Sequence, residues 1–338
     1  MIWIAVDAMG GDEAPRNVVD GALAAVRHFD LGVLLIGAAR AIETELDRHM
    51  SNGEVDRRSV RIIDAPDVVT MEESPAAALR RKPAASIQIA ADAVARGEAS
   101  ALFSAGHTGA TVMAAHAAFG MLPGVDRPAL AATIPTRRRP AVLLDVGASA
   151  ECRPQHLLQF AVMGDVYTRV VFGMASPRIG LLSTGAEATK GNELTREAHR
   201  LLKAAPLNFV GNVEARDVYS GDADVIVCDG FTGNVALKIS EGLVEMVEEL
   251  LSEELSSTIT MRVGSLLTRR ALRHFRGRVD YSEYGGAPLL GVAGVAIVGH
   301  GRSSAKAVRN AVAMAYRLAA ASFIERVERD TAAAVSPH

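Results

Sequence analysis

Short apolar runs alternate along the chain with segments in which apolar positions recur every three or four residues. The short runs predict strands, and they are IWIAV, GVLLIG, SALFSAG, AVLLDVG, RIGLLSTG, LNFVG, DVIVCDG and GVAIVGHG. The periodic segments predict helices over 15–28, 86–96, 108–119, 192–204 and 303–320. This alternation predicts an α/β protein with three layers, in which helices cover both faces of a largely parallel central sheet.

No fixed-period repeat, low-complexity tract or linker interrupts the pattern. We therefore expect one compact α/β domain over 1–338, with a projecting helical hairpin over 241–280. The first half of the hairpin, EGLVEMVEELLSEELS, has apolar residues at helical spacing with glutamates off that stripe, and the second half is rich in arginine. The two helices could pair with each other or across a dimer. Alternatively, the second helix docks on acidic surfaces through Leu266, Leu267, Arg269, Arg270 and Arg273.

Composition and charge narrow the class of protein. The chain is 49% hydrophobic and 22% charged, with a net charge of −3, which is ordinary for a globular protein and predicts no nucleic-acid partner. The two cysteines, Cys152 and Cys228, suggest a reducing compartment without a disulfide framework. The first residues lack the pattern of a signal peptide, and no apolar run reaches membrane-spanning length. We therefore expect a cytoplasmic protein.

Polar, glycine-rich segments follow many of the predicted strands, and we call them exits. Glycine after a strand usually serves turn geometry alone. Ligands in α/β folds bind at the carboxyl ends of strands, however, so several such exits predict one composite site. Backbone N–H groups beside helix starts bind anions, so the expected ligand carries phosphate or another oxyanion. The exits cover 7–12, 104–109, 145–149, 183–191, 211–214, 229–234 and 299–304.

The standard motifs for nucleotides, metals and covalent catalysis are absent from the sequence. GAEATKGN has lysine before glycine, which is not a P-loop, and AMGGDEAP is not G-x-G-x-x-G. No Cys/His set has metal-ligand spacing, and there is no G-x-S-x-G. Cys228 ends an apolar run, which favours a core thiol over a nucleophile. We therefore expect no cofactor and no metal.

Lysine is scarce, which draws attention to where it occurs. Only five of the 36 basic residues are lysine, and Lys190 precedes Gly191 at a predicted helix start. An ammonium group there could hold phosphate or polarise a carbonyl. Lys238 could equally lie on a helix surface, and Lys203 fits a solvated helix face.

Ten segments together resemble the PlsX-type phosphate acyltransferases, in order from about residue 2 to residue 320. They are DAMGGDEAP, ESPAAALRRK, SAGHTGA, RPALAATIPT, LDVGAS, GAEATKGNEL, NFVGNVEARD, DVIVCDGFTGNVALK, YGGAPLLGVAGV and GHGRSSAKA. The resemblance implies a homodimer with a fold similar to isocitrate and isopropylmalate dehydrogenases and to phosphotransacetylases. The family usually has Asn where this chain has His107, Ser149 and Ser183.

The resemblance also implies an activity and partners. Such enzymes transfer an acyl group from acyl-acyl carrier protein to inorganic phosphate, and the acyl phosphate supplies phospholipid synthesis through a glycerol-3-phosphate acyltransferase. It further implies peripheral association with anionic membranes. The arginine-rich second helix of the hairpin suits both an acidic carrier protein and anionic lipid.

The chemistry of that reaction fits the predicted site. Phosphate is already an anionic nucleophile near pH 7, and the leaving thiol has a pKa of about 8.5, so neither a strong base nor a strong acid is needed. What remains is to position two anions and to stabilise an oxyanion. By resemblance, Lys190 and Asn234 are the predicted catalytic residues, with Asp229 orienting the turn. The alternative for Asn234 is that it caps a helix.

The other residues expected to bind phosphate or substrate also lie in the exits. His107 and His300 could donate to phosphate or serve only the turn, and Asp12 could cap a helix ahead of Pro15. Asp7 could fix its loop through hydrogen bonds. The full set is Asp7, Gly10, Gly11, Asp12, Ser104, Gly106, His107, Thr108, Gly109, Gly191, Asp229, Gly230, Thr232, Gly233, His300, Gly301 and Ser303.

Two other functions stay open at this point. One is an NAD-dependent dehydrogenase of the similar fold, which would need a carboxylate cluster for a divalent metal and an arginine set for its substrate. The other is a non-catalytic regulator that binds acyl carrier or lipid. Nicotinamide-dependent absorbance changes would favour the first, and carrier binding without phosphate-dependent turnover the second.

Overall fold

A computed structural model of the chain describes residues 1–50, 56–256, 270 and 284–335. The strands are β1 Ile2–Asp7, β2 Leu31–Gly37, β3 Val60–Asp64, β4 Ala101–Ser104, β5 Ala129–Ile134, β6 Ala141–Leu144, β7 Ile179–Ser183, β8 Phe209–Glu214, β9 Val225–Val227, β10 Ala287–Leu290 and β11 Val295–Val298. The helices are α1 Arg16–His28, α2 Ala39–Met50, α3 Pro75–Arg81, α4 Ser86–Ala95, α5 Thr108–Phe119, α6 Pro154–Phe172, α7 Glu193–Ala204, α8 Gly230–Ser256, α9 Ala305–Ala320 and α10 Phe323–Val335.

All of these strands join one mixed sheet. Within the described residues the strand order is β3-β2-β1-β4-β11-β10-β5-β6-β9-β7-β8. Neighbours pair in parallel except at three successive junctions, β11 with β10, β10 with β5, and β5 with β6. The parallel strands are nearly continuous apolar runs because helices cover them on both faces.

Alternate residues along the strands enter two separate cores. On one face, Ile4 and Phe103 pack with apolar residues of α1, α6, α7, α9 and α10. On the other face, Ala5 and Leu102 pack with residues of α3, α4 and α5, and Leu237 of α8 joins them. The result is the three-layer α/β architecture that the sequence predicts.

Every predicted strand is present, as are the helices predicted over 15–28, 86–96, 108–119, 192–204 and 303–320, and several elements were not predicted. The eight apolar runs correspond to β1, β2, β4, β6, β7, β8, β9 and β11. Among the missed elements, β5 has the alanine-rich sequence ALAATI and β3 carries the exposed Arg61. Neither shows the apolar density by which the other strands were recognised. β10 has only four residues, APLL, behind two glycines.

The predicted hairpin is only partly described. Its acidic half is the second half of α8, a continuous helix of 27 residues, in which Leu243 and Leu250 are exposed. Arg270 is helical and exposed, whereas Leu266, Leu267, Arg269 and Arg273 lie outside the described residues, so the docking prediction stays a prediction. Over the described ranges, no helix combines the length and apolar character needed to cross a membrane.

Candidate active site

The strand exits divide between the two edges of the sheet. Three successive antiparallel pairings separate β1, β4 and β11 from β6, β7, β8 and β9, so the two sets of strands point in opposite directions. The exits at 7–12, 104–109 and 299–304 lie at what we call the first edge, and those at 145–149, 183–191 and 229–234 lie at the second edge. The exit predicted at 211–214 is wrong, because these residues form the second half of β8. The exits therefore form two groups rather than one.

At the first edge, three exits are tied together around one carboxylate. Ser104 Oγ donates to Asp7 Oδ2 at 2.7 Å and accepts from the Gly106 N–H at 3.1 Å. The Asp12 N–H donates to the Gly301 carbonyl at 2.8 Å. These bonds join β1, β4 and β11 just beyond their ends.

The Asp7 carboxylate is buried beneath these loops. Burial raises its pKa, and the hydrogen bond from Ser104 opposes the shift. A Cβ at Gly10 would lie 2.8 Å from Asp7 Oδ2 and 2.6 Å from the Gly106 nitrogen, so only glycine fits between the loops. Together the loops enclose a cavity of about 190 Å³ whose wall includes Asp7 and His107.

At the second edge, Asp145 organises the exit of β6. Its Oδ1 accepts from the N–H groups of Leu130, Gly147 and Ala148 at 2.8 to 3.0 Å, and its Oδ2 accepts from Ser149 at 2.7 Å. Burial raises the pKa of Asp145, while the four backbone donors oppose the shift. The carboxylate thus holds this loop as a rigid platform.

The first turn of α8 rests directly on that platform. The Gly230 N–H donates to the Ser149 carbonyl at 2.9 Å. A Cβ at Gly233 would lie 1.9 Å from the Asp145 carbonyl oxygen, and one at Gly230 would lie 2.5 Å from Asp145 Oδ2. The two glycines of DGFTGN therefore allow a helix to start in contact with a neighbouring strand exit.

Asp229, not Asn234, caps this helix. The Thr232 N–H and hydroxyl donate to the two carboxylate oxygens of Asp229 at 2.9 and 2.7 Å. The expectation that Asn234 might cap is wrong, because α8 begins at Gly230 and Asn234 lies beyond its first turn. The Asn234 side chain instead lies over the Gly147 turn. A Cβ added to Gly147 would be 3.6 Å from the Cβ and the Cγ of Asn234.

A cavity of about 600 Å³ joins the two edges along the face of the sheet. Gly147 and Asn234 line its second-edge end, and Thr108, Gly109 and His300 line its first-edge end. One face of α8 covers it, presenting Asn234, Leu237, Lys238 and Glu241. Its apolar wall comprises Leu130, Ala132, Val146, Leu237, Ala287 and Val298.

Both predicted histidines serve the turns and also line cavities. His107 Nδ1 accepts from the Gly109 N–H at 3.1 Å, which caps α5. His300 Nδ1 accepts from the Arg302 N–H at 3.2 Å. Because an accepting nitrogen carries no proton, each neutral ring has its proton on Nε2. Burial lowers the pKa of His300, and the nearby Lys238 lowers it further.

The remaining predicted residues at the first edge support the loops. Gly11 has a φ of +115°, a conformation that favours glycine. Ser303 donates its hydroxyl to the His300 carbonyl at 2.5 Å. Asp12 lines both cavities, since it lies between them, but it does not cap α1. The residue before that helix is Pro15, which makes no side-chain cap.

Lys190 lies apart from this cavity. It is exposed in the loop between β7 and α7, at the second edge, and it is not among the residues that line the cavity. The next residue, Gly191, has a φ of +96°, and a Cβ there would lie 2.1 Å from Thr195 Oγ1. The Lys190 loop shares an edge with Asn234, because β6, β9 and β7 are parallel neighbours.

Asp145 is the organising residue that sequence analysis missed. The signal was present in LDVGAS, where an acid follows a buried strand and precedes glycine, as Asp7 does in VDAMGG. A short Asp side chain at that point can reach the N–H groups of its own turn.

A family model described as fatty acid synthesis protein matches residues 2–326. The phosphate acyltransferase of Pelotomaculum thermopropionicum is 50% identical over 312 residues, covering 92% of this chain and 90% of that protein. The chain belongs to the PlsX-type phosphate acyltransferase family. This confirms the resemblance drawn from the motifs, and the protein is an enzyme, an acyltransferase.

Two solved structures of other enzymes illustrate the likeness in fold. A phosphotransacetylase from Streptococcus pyogenes superposes with a TM-score of 0.63 at 16% identity, covering 95% of this chain and 94% of that one. A 4-hydroxythreonine-4-phosphate dehydrogenase from Klebsiella pneumoniae gives 0.52 at 12% identity, covering 94% and 99%. At these identities the likeness shows the fold alone, and it confirms the predicted fold class.

At two of the positions where this acyltransferase departs from the family pattern, the side chain makes a hydrogen bond that supports a turn or loop. His107 uses Nδ1 to cap α5, as the oxygen of an Asn would. Ser149 donates its hydroxyl to the Pro128 carbonyl at 2.8 Å and tethers the Asp145 loop. The Ser183 hydroxyl, by contrast, is buried without a hydrogen-bond partner among the described residues.

Proposed function

We propose that this acyltransferase moves a fatty acyl group from acyl-acyl carrier protein to inorganic phosphate, releasing acyl phosphate. One observation carries the proposal: a single cavity of about 600 Å³ links polar turns at both edges of the sheet through an apolar wall. A thioester with a fatty chain needs such a combination of polar ends and apolar length. The names of the family relatives support phosphate as the acceptor.

The apolar wall is the proposed site of the acyl chain. Leu130 and Ala132 of β5 and Val298 of β11 supply it from the sheet, and Leu237 faces them from α8. Burying one methylene group of the acyl chain there contributes about 0.8 kcal/mol to binding. The affinity should therefore rise with the length of chain that the apolar wall covers.

The polar turns are the proposed site of the two reacting groups. The Asn234 amide offers a donor beside the Gly147 turn at one end, and the N-terminus of α5, beside His300, offers donors at the other. Donors of this kind hold phosphate and stabilise the oxyanion that forms on the thioester carbonyl. Lys238 adds positive charge near the first-edge end, although it also pairs with Glu241 at 2.8 Å.

The reaction needs little acid or base chemistry. A phosphate oxygen forms a bond to the thioester carbon, and the tetrahedral intermediate collapses with cleavage of the carbon–sulfur bond. The thiolate leaves and takes up a proton released from phosphate or water. Positioning and oxyanion stabilisation therefore supply the catalysis, with Asn234 as the proposed oxyanion donor.

Lys190 remains a proposed catalytic residue on different grounds. It lies at the second edge, just before the start of α7. The exit that carries Asn234 follows β9, which is the strand that pairs with β7. An exposed ammonium at that edge can attract phosphate or neutralise the developing thiolate. The family resemblance at GAEATKGNEL supports this role.

We propose a homodimer in which α8 contacts a second copy of the chain. Phe231, Val235, Ile239 and Leu243 form an exposed apolar stripe, with Phe231 68% and Ile239 66% exposed. Soluble proteins seldom leave such a stripe uncovered. Ile239→Glu with Leu243→Glu should give monomers by light scattering, whereas the matched exposed change Glu249→Gln should leave dimers. Dimers in both would rule out this interface.

The same resemblance supports the setting of the reaction. We propose that the arginine-rich segment around Arg270 meets acidic carrier protein and anionic lipid, and that the enzyme is cytoplasmic with peripheral membrane contact. Acyl phosphate would then supply phospholipid synthesis through a glycerol-3-phosphate acyltransferase. Arg270 is exposed, which this role requires.

Mass spectrometry tests the proposed reaction directly. Purified protein mixed with acyl-acyl carrier protein and phosphate should form acyl phosphate and free carrier thiol in equal amounts. Asn234→Ala should lower the rate, while Lys203→Ala, on a solvated face of α7, should not. Carrier binding without any acyl phosphate would overturn the proposal in favour of a non-catalytic regulator.

A further inference from the structure

Asn212, in the second half of β8, connects α7 to the loop that carries Lys190. Its Nδ2 donates to the Glu187 carbonyl of that loop at 2.8 Å. The neighbouring Val213 packs into the core on the opposite face of the sheet, so Asn212 faces α7. The GNVE segment is therefore a strand, but it supplies one side-chain amide to the second edge.

A histidine of α7 orients this amide. His199 Nδ1 lies 2.9 Å from Asn212 Oδ1, and the His199 ring packs edge-on against Phe209 with 5.0 Å between the ring centroids. Because the Glu187 carbonyl can only accept, it fixes Nδ2 of Asn212 as the donor and leaves Oδ1 facing His199. Since Oδ1 also only accepts, the neutral His199 ring carries its proton on Nδ1. The hydrogen bonds thus run in one direction, from the helix to the strand and from the strand to the loop.

The Glu187 carbonyl is the point at which the loop is held. It accepts from the Lys190 N–H at 3.0 Å as well as from Asn212, so the tether acts on the turn that ends at Lys190. The Lys190 stem folds back over Gly185, where an added Cβ would lie 2.8 Å from Lys190 Cγ. The position of the ammonium group therefore depends on the shape of this turn.

Separate contacts hold the chain that follows Lys190. Arg196 Nη1 donates to the Gly191 carbonyl at 2.7 Å. Asn192 caps α7, because its Oδ1 accepts from the Thr195 N–H at 2.9 Å. These bonds belong to the start of α7 and do not fix the turn before Lys190, which is the part that the amide from β8 holds.

We infer that Asn212, oriented by His199, is a positioning residue that holds the Lys190 ammonium group in place for acyl transfer to phosphate. The inference rests on the proposed catalytic role of Lys190. An ammonium group on a free loop would spend little time in the reactive arrangement, because both the loop and the long side chain would sample many conformations. A bond from a strand of the sheet reduces that freedom, since the sheet is the rigid part of the fold.

A double-mutant cycle between Asn212 and Lys190 tests this positioning. Asn212→Ala should lower kcat/KM for phosphate about five- to tenfold, the fold-change that corresponds to loss of one hydrogen bond. In a Lys190→Ala background the same change should cost less than about twofold, because the group that it positions is gone. Asn212→Asp keeps the shape of the side chain but presents an acceptor to the Glu187 carbonyl, so it should lower kcat/KM at least as much as alanine does.

Asn208→Ala is the matched control. Asn208 lies just before β8, at the opposite end of the strand, and its Nδ2 donates to the Ser176 carbonyl at 3.2 Å. The control removes the same type of hydrogen bond away from the Lys190 loop, so kcat/KM should stay at the wild-type value. Urea unfolding should show a similar small loss of stability for Asn208→Ala and Asn212→Ala, which separates positioning from general destabilisation.

Limited digestion with trypsin measures the tether without reference to catalysis. Trypsin cleaves after lysine, so cleavage between Lys190 and Gly191 in the folded protein reports how often the loop opens. Asn212→Ala should speed this cleavage about five- to tenfold relative to wild type and to Asn208→Ala. Near-normal turnover in Lys190→Ala would remove the proposed catalytic role of Lys190, whereas faster cleavage in Asn212→Ala would still support the tether. Cleavage at the wild-type rate in Asn212→Ala, or an equal fold-loss of kcat/KM in both backgrounds, would overturn the inference.

Discussion

Gly233→Ala tests whether α8 must start in contact with the Asp145 loop. In an unconstrained helix this change stabilises, since alanine is favoured over glycine by about 1 kcal/mol. At position 233, however, the added Cβ would lie 1.9 Å from the Asp145 carbonyl oxygen and 2.8 Å from Cys228 Sγ. The helix or the strand exit would have to move to relieve that overlap.

The expected magnitude follows from these opposing effects. Overpacking a well-packed site costs about 1–3 kcal/mol, and the upper end applies because the closest atom belongs to the backbone of a strand exit. Subtracting the helix-propensity gain leaves a net loss of about 2 kcal/mol in the free energy of unfolding. Any shift of the first turn also moves Asn234 relative to Gly147, so turnover should fall as well.

The same helix offers a matched control. Gly242 is exposed in α8, and a Cβ there would meet nothing within 4 Å. Gly242→Ala should therefore stabilise by about 1 kcal/mol and leave acyl phosphate formation unchanged. Urea unfolding gives the stabilities, and initial rates at saturating phosphate give the activity. If Gly233→Ala proves as stabilising as Gly242→Ala, the close approach of α8 to the Asp145 loop is refuted.

The remaining predictions concern the site and its surroundings. Lys190→Ala and Asn234→Ala should each lower turnover by roughly 10²–10³-fold without unfolding the protein, and near-normal rates for both would refute the assignment. Activity should survive a strong chelator and exhaustive dialysis, and restoration by an added divalent ion would revive the dehydrogenase alternative. Leu266→Glu with Leu267→Glu should release the enzyme from anionic vesicles in a flotation assay at low salt, whereas wild-type protein that never floats would exclude membrane contact.

Local sequence was enough to locate most elements of the fold and most turns of the site. Strand runs such as GVLLIG and DVIVCDG end at glycine because the chain must turn sharply into a helix there, and both features depend on neighbours along the chain. Motif resemblance then indicated the family without any structure. Gly233 and Asp229 were included in the predicted site for the same reason, as members of one short and distinctive turn.

Tertiary structure alone decided which of those turns meet. The directions of β10 and β5 place the exits at two edges of the sheet, and strand direction depends on pairing partners that are distant in sequence. β5 escaped notice because ALAATI gains its burial from neighbouring strands rather than from large apolar side chains of its own. The position of Asn234 over the Gly147 turn and the burial of Asp145 beneath the first turn of α8 are likewise consequences of packing between segments, which no local pattern records.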